Sequence, residues 1–273
     1  MRAFFLASLL AILALSPTPL SAGDRPSQKV VLNGVTVQAT NSYSQTYRGY
    51  YLDLSGIAER QDFAALSHAL RHQVDIVEGV GLSPRVLHFF QSVPVLVDEF
   101  ACMASHKAEN ANALVVAAGC YNPSAAKIFA TNSPLVSRDG DPTFQYKRTM
   151  RGIVMVRPGA LESMKDSPLV LHELLHAYHY HVFPESIKDN GVLFYYNEAK
   201  TFYSAEQPIE NYAMSNEREF FAVTASVFLY GKDRGFVRSK IKEKQADYYK
   251  FLVWLFGFDP DRAPSAVPVA SAK

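Results

Sequence analysis

Between Pro168 and Pro184 the chain reads LVLHELLHAYHYHVF, with no glycine, no proline and a single carboxylate. A mostly apolar run of this length predicts a helix buried on most of its circumference. Asp166-Ser167-Pro168 supplies a start, a capping side chain followed by proline at the first helical position. Pro184 supplies the stop. The rest of the fold must cover this helix.

Four of the chain's eight histidines lie in this stretch. His172 and His176 stand at i and i+4, about 400° apart in rotation, so both imidazoles share one face one turn apart. Two nitrogens so placed can meet one zinc ion at about 2.0–2.1 Å. Glu173 is next round the helix, near enough to take a proton from activated water without ligating the metal. This is the HExxH pattern, with Glu173 as general base of a zinc hydrolase. The competing reading is a core helix with incidental histidines. His179 falls on the same face about two turns away, too far to share the ion. It reads as a second-layer or cleft histidine, or else a solvated one. His181 points elsewhere and is expected to be structural.

A catalytic zinc needs a third protein ligand and an open position. The helix continues past His176 as Tyr178-His179-Tyr180, so the ligand is expected from a later element. The stretch NYAMSNEREFFAVTASVFLYG, Asn211 to Gly231, offers Glu219 in the first turn of a helix from Glu217 to about Tyr230. A carboxylate at the head of an apolar helix is costly to bury without a cation. The alternative is a capping box, Asn216 with Glu219 three residues on. Glu217, Glu210, Glu206 and Glu198 compete for the same role.

HELLH followed by Tyr212 and NEREFFA resembles the gluzincin-type catalytic domains of anthrax lethal factor and the Pro-Pro endopeptidases. In that group a tyrosine follows HExxH, and a glutamate follows it by seven positions in an NExEFFA-like segment. Tyr212 and Glu219 keep the interval. The resemblance implies that His172, His176 and Glu219 bind one zinc per chain, with Glu173 as base. It also implies that Tyr212, otherwise one of fifteen tyrosines, donates its hydroxyl to the oxyanion. It spans roughly residues 85–232. Neither the cysteines nor the polar loop at 131–148 is part of it, so substrate specificity stays open.

Upstream, residues 23–50 read as an irregular lead-in with one short strand at 34–38. Ala64, Leu66, Leu70, Val74 and Val77 predict a helix from Ile57 to about Glu78. Val86 to Asp98 reads as two strands, or one edge strand with a bulge at Pro94. Leu114 to Ala130 reads as strand, turn, strand, punctuated by Asn122-Pro123. Asp139-Gly140-Asp141-Pro142 is a turn, lacking the acidic density of a calcium loop. Gly152 to Arg157 is a further strand, ended by Pro158-Gly159. One strand, around Leu114–Tyr121 or Lys127–Ala130, should lie along the cleft and hold extended substrate by strand addition. Phe194-Tyr195-Tyr196 could wall the pocket but reads better as packing.

These elements predict an α+β, zincin-like domain: a small N-terminal mixed sheet on the active-site helix, then a mainly helical part. The boundaries read as a signal peptide at 1–22, a lead-in at 23–50, the peptidase domain at 51–258 and a disordered tail at 259–273. Arg2, the apolar run Phe4–Leu15 and the small residues Ser21-Ala22-Gly23 form the leader. An uncleaved anchor is its alternative. The expected destination is the periplasm or the exterior, without stable membrane insertion. In that compartment Cys102 and Cys120 should pair. A net charge of +1 gives no footprint for nucleic acid. The expected partner is a peptide or protein substrate, and oligomeric state is unreadable. The whole reads as an exported zinc endopeptidase. The alternatives are a catalytically silent zincin-like binding module and a zinc amidase acting on cell-wall crosslinks.

Overall fold

The computed structural model describes residues 29–32, 35–38, 43–99, 102, 117–123, 151–183, 191–203 and 207–262. The expected leader at 1–22, the strand at Lys127–Ala130, the 131–148 loop and the tail beyond 262 lie outside these residues.

Strands β1 (Lys29–Leu32) and β2 (Val35–Gln38) form an antiparallel pair. The main sheet has five strands: β3 (Ser44–Tyr47), β4 (Tyr50–Gly56), β5 (Val95–Asp98), β6 (Gly119–Asn122) and β7 (Ile153–Val156). Their order is β3-β4-β5-β7-β6. The central pairs β4–β5 and β5–β7 are parallel, whereas β3 and β6 close the two edges antiparallel. Parallel strands are usually covered on both faces and carry continuous apolar runs. VLVD and IVMV fit that rule, and every residue of both is buried. By the two-residue period of a strand, Leu52, Val95, Val97, Val154 and Val156 enter the main core. Tyr51, Leu96, Ile153 and Met155 are buried outside that cluster, on the opposite face.

Helices α1 (Phe63–Gly79) and α2 (Pro84–Gln91) connect β4 to β5, and α3 (Pro158–Ser163) follows β7. The HELLH helix is α4 (Leu169–Val182). Beyond it come α5 (Val192–Ala199), α6 (Pro208–Ala213) and α7 (Glu217–Tyr230). A short hairpin, β8 (Lys232–Asp233) and β9 (Phe236–Val237), leads to α8 (Arg238–Lys244) and α9 (Ala246–Phe256). The fold class is therefore as expected, α+β with a small mixed sheet on the HELLH helix and a helical C-terminal part.

Helix α4 packs on the sheet and α1 on one side and on α7 on the other. Helix α7 is buried continuously from Phe220 to Leu229, as a helix surrounded by others must be. Each fully buried Leu, Val or Phe there stabilises the fold by roughly 1.5–3 kcal/mol. Its buried hydroxyls are satisfied locally: Thr224 Oγ1 donates to Phe220 O, and Ser226 Oγ donates to Val223 O at 2.8 Å. Gly231 ends the helix at φ +103°, a backbone conformation that side chains resist.

Several local expectations are corrected. Ser83 and Pro84 start a helix, not a strand, and Val86, Phe89 and Phe90 bury one face of it at helical spacing. Only Val95–Asp98 of that segment is extended. Helix α1 begins at Phe63 rather than Ile57, because 57–62 form a turn in which Arg60 holds the Asp62 carboxylate at 2.6 Å. Pro158 does end β7, but as the first residue of α3. The lead-in holds β1 and β3 as well as the anticipated β2, and β3 is already part of the main sheet. At the other end, Tyr249 donates to Asp259 at 2.6 Å while Asp261 pairs with Arg238 and Lys242. The folded unit thus continues to at least Arg262.

Candidate functional site

No side chain from Asp166 to Pro168 caps α4, and Pro168 itself occupies the cap position. The cap comes from α1. Buried Gln73 accepts from Val170 N at 3.2 Å and donates to Ser167 O at 2.9 Å and Lys165 O at 3.2 Å. The start of the HELLH helix is thereby tied to the core rather than to its own sequence.

Three residues along, His172 and His176 bring their Nε2 atoms to 3.2 Å, with the rings close to perpendicular. Glu219 completes the group from α7: its Oε2 is 3.2 Å from His172 Nε2 and 3.3 Å from His176 Nε2. A tetrahedral ion with bonds of about 2.0–2.1 Å separates its ligands by about 3.3 Å. The three donors therefore fit one zinc-sized ion. Glu219 Oε2 is buried, and beyond the two imidazole nitrogens no donor among the described residues meets it, an arrangement that needs a cation or a proton. Burial alone would raise the Glu219 carboxyl. Hydrogen bonding and charge from the two imidazoles outweigh it and hold the group far below the usual carboxylate range.

The capping reading of this segment is realised, and it does not use the Glu219 carboxylate. Asn216 Oδ1 accepts from Arg218 N and Glu219 N at 3.0 Å each, which leaves the Glu219 carboxylate free to face the imidazoles. Among the competing glutamates, Glu210 is buried against Lys240 Nζ at 2.5 Å and Glu217 lines the cleft. Glu198 lies on α5 away from the cleft lining, and Glu206 is outside the described residues.

Glu173 also belongs to a group with His172 and His176 whose donor atoms lie within 4.8 Å of one another, and this group could hold a metal ion. Its position differs from that of Glu219, because it rests against the edge strand. A Cβ on Gly119 would stand 2.9 Å from Glu173 Oε1, so only glycine permits this approach. Burial, with the Glu219 charge adding to it, pushes the Glu173 carboxyl up to about 8. His176 and a hydrogen bond from the Tyr121 backbone pull the other way. Reading the sequence alone missed Gly119, although a glycine inside a strand is a recognised mark of close approach.

Tyr212, on α6, places its ring 6.1 Å from that of His172. Burial first, then the Glu219 charge, raises its phenol pKa above the ordinary value. The turn from Met214 to Asn216 folds α6 against α7 and brings positions 212 and 219 to the same side of the imidazole pair; Ser215 Oγ closes the turn on Tyr212 O at 2.8 Å. His179 is buried between Phe183 and Phe221, with ring centroids at 5.0 and 5.2 Å, and borders the cleft. His181 sits outside it, its Nε2 2.7 Å from Tyr121 Oη. Tyr195 and Tyr196 pack on Tyr248 and Phe220 while Phe194 is exposed, and none of the three lines the cleft beside the imidazoles.

Glu173, His176, His179, Tyr212 and Glu219 border one cavity of about 740 Å³. The backbone of β6 forms one wall, α4 the floor, and Tyr212 with the first turn of α7 the facing wall. Among the described residues β6 pairs with β7, and its Gly119, Cys120 and Tyr121 line the cleft. Cys120 of this strand is bridged to Cys102, as expected, with a Cα–Cα distance of 5.6 Å. The described residues contain no helix long and apolar enough to cross a membrane.

No family model and no curated protein matches the chain. Among solved structures, the Pro-Pro endopeptidase of Paenibacillus alvei is similar at 22% identity and a TM-score of 0.38, over 75% of this chain and 97% of that one.

Proposed function

We propose that the protein is an exported zinc-dependent endopeptidase. The observation that carries the reading is the triangle of His172 Nε2, His176 Nε2 and Glu219 Oε2, with sides of 3.2–3.3 Å, beside a buried second carboxylate. These three residues would hold the metal. A zinc ion there would supply Lewis-acid activation of water and of the scissile carbonyl.

The chain's own groups carry the remaining roles. Glu173, in a dry position against Gly119, accepts the proton of the attacking water and returns it to the leaving amine. Tyr212, kept protonated by its surroundings, donates a hydrogen bond to the oxygen on which negative charge develops. The cleft-lining strand β6 would pair with an extended peptide and set its direction across the site.

The test is metal content and peptide-library cleavage for the mature protein and for Glu173→Gln. The expected result is about one zinc per chain in both proteins and cleavage by the wild type alone. Zinc in both with cleavage in neither would overturn the peptidase reading and favour a binding module or a non-peptide amide. Absence of zinc from both would overturn the metal centre itself.

A further inference from the structure

A second cavity, of about 480 Å³, lies behind the end of the substrate edge. Arg85 and His88 of α2, Arg151 just before β7 and His181 of the last turn of α4 line it, over an aromatic floor of Phe89 and Tyr178. Among the described residues no carboxylate lines it. Of the other described arginines, Arg48, Arg60, Arg234 and Arg238 each sit on an aspartate, while Arg71 and Arg157 donate to Gln45 and to the Glu99 carbonyl. Arg85 and Arg151 have no ion-pair partner among the described residues. Arg151 is nevertheless held in place, its guanidinium carbon 4.9 Å from the centroid of the Phe89 ring. Two arginines lining one cavity with two aromatic rings offer a receptor for a carboxylate, which arginine can bind through two parallel hydrogen bonds.

The cavity adjoins the cleft through one contact. Tyr121 lines the cleft, donates its hydroxyl to Arg151 O at 2.9 Å and lies 2.7 Å from His181 Nε2. Gly119, two residues earlier on the same strand, lies against Glu173 and so marks the reacting centre. At about 3.4 Å per residue, a peptide paired along β6 passes Tyr121 two residues from that centre. The next one or two residues reach the basic cavity.

We propose that this cavity is a remote subsite for an acidic side chain, aspartate or glutamate, three or four residues from the scissile bond. The inference rests on the endopeptidase reading, and it names a substrate class that the centre itself does not specify.

The test uses twin peptides that differ only by glutamate or glutamine, at the third and fourth positions on either side of a cleaved bond. For the wild type, glutamate on one side should raise kcat/KM by about tenfold over its glutamine twin. In Arg85→Gln and in Arg151→Gln that ratio should fall towards one, and 0.5 M salt should shrink it in the wild type. Circular dichroism melts check that the variants are folded, and exposed Arg85 serves as the safer of the two. Cleavage of all twins at equal rates would overturn the subsite and leave the peptidase standing. Cleavage of none would overturn the peptidase. The subsite is then judged by fluorescence anisotropy of labelled twins on Glu173→Gln: equal binding of the twins overturns it, and glutamate-selective binding lost in the arginine variants supports it.

Discussion

Glu173 and Glu219 are two carboxylates in one cleft pushed in opposite directions. Glu219 faces two imidazole nitrogens and is held ionised, whereas Glu173 faces a strand backbone and is pushed up to about 8. Separated values of this kind mark a division between holding a cation and moving a proton. Tyr212 is the third member, and its hydroxyl is the atom that matters. Tyr212→Phe removes that hydroxyl while keeping the ring beside His172. On the proposed role kcat should fall by about 10²–10³-fold, with KM and zinc content little changed. Steady-state kinetics with metal analysis decide it, and an unchanged kcat would reduce Tyr212 to a packing residue.

Among the elements, α4 depends on α1 for its start. Gln73 satisfies a helix N–H and two carbonyls at the entrance to HELLH. Gln73→Leu keeps the volume and strands these buried groups, at a cost of about 1–3 kcal/mol. Denaturant unfolding should show that loss. Zinc titration should show weaker binding, because His172 is two residues from the freed Val170 N–H. Stability lost with zinc affinity intact would mean that the helix start and the metal face are independent. The element that misled the sequence reading is α2. VLHFFQSVPVLVD is rich in β-formers, yet Ser83 and Pro84 start a helix just ahead of it and Val86, Phe89 and Phe90 share one helical face. Start signals outweighed composition there, as tertiary burial commonly overrides weak local propensity.

At the scale of the molecule, the site is assembled from three separate parts: a sheet edge, the helix beside it and a helix pair folded on from the C-terminal side. The disulfide secures the first of these, since Cys120 belongs to the cleft-facing edge and Cys102 lies 18 residues earlier. Reduction should destabilise the protein by about 2–4 kcal/mol. On the proposed function it should also raise KM more than it lowers kcat, because the strand proposed to orient substrate is loosened while the proposed metal ligands on α4 and α7 are untouched. Denaturation midpoints and kinetics with and without reductant measure both effects. An unchanged KM after full reduction would show that β6 is held by its pairing with β7 alone.

His172, Glu173 and His176 were legible from the sequence because a helix turns every 3.6 residues, so their relation is local. The pairing of Cys102 with Cys120 followed from compartment and number, and the span of α7 followed from its cap and its glycine. The role of Asn216 was legible too, but the target of the Glu219 carboxylate was not settled by its own segment, which fits a cap and a ligand equally well. Folding α7 against α4 brings Glu219 Oε2 to within 3.3 Å of imidazoles more than forty positions away, the arrangement on which the proposed metal site rests. Gln73 at the helix entrance, Gly119 beneath Glu173 and the unpaired arginines near Tyr121 are of the same kind. Each depends on which surfaces meet when the core closes, and apolar burial, which drives that closure, is non-directional and leaves little local trace in the chain.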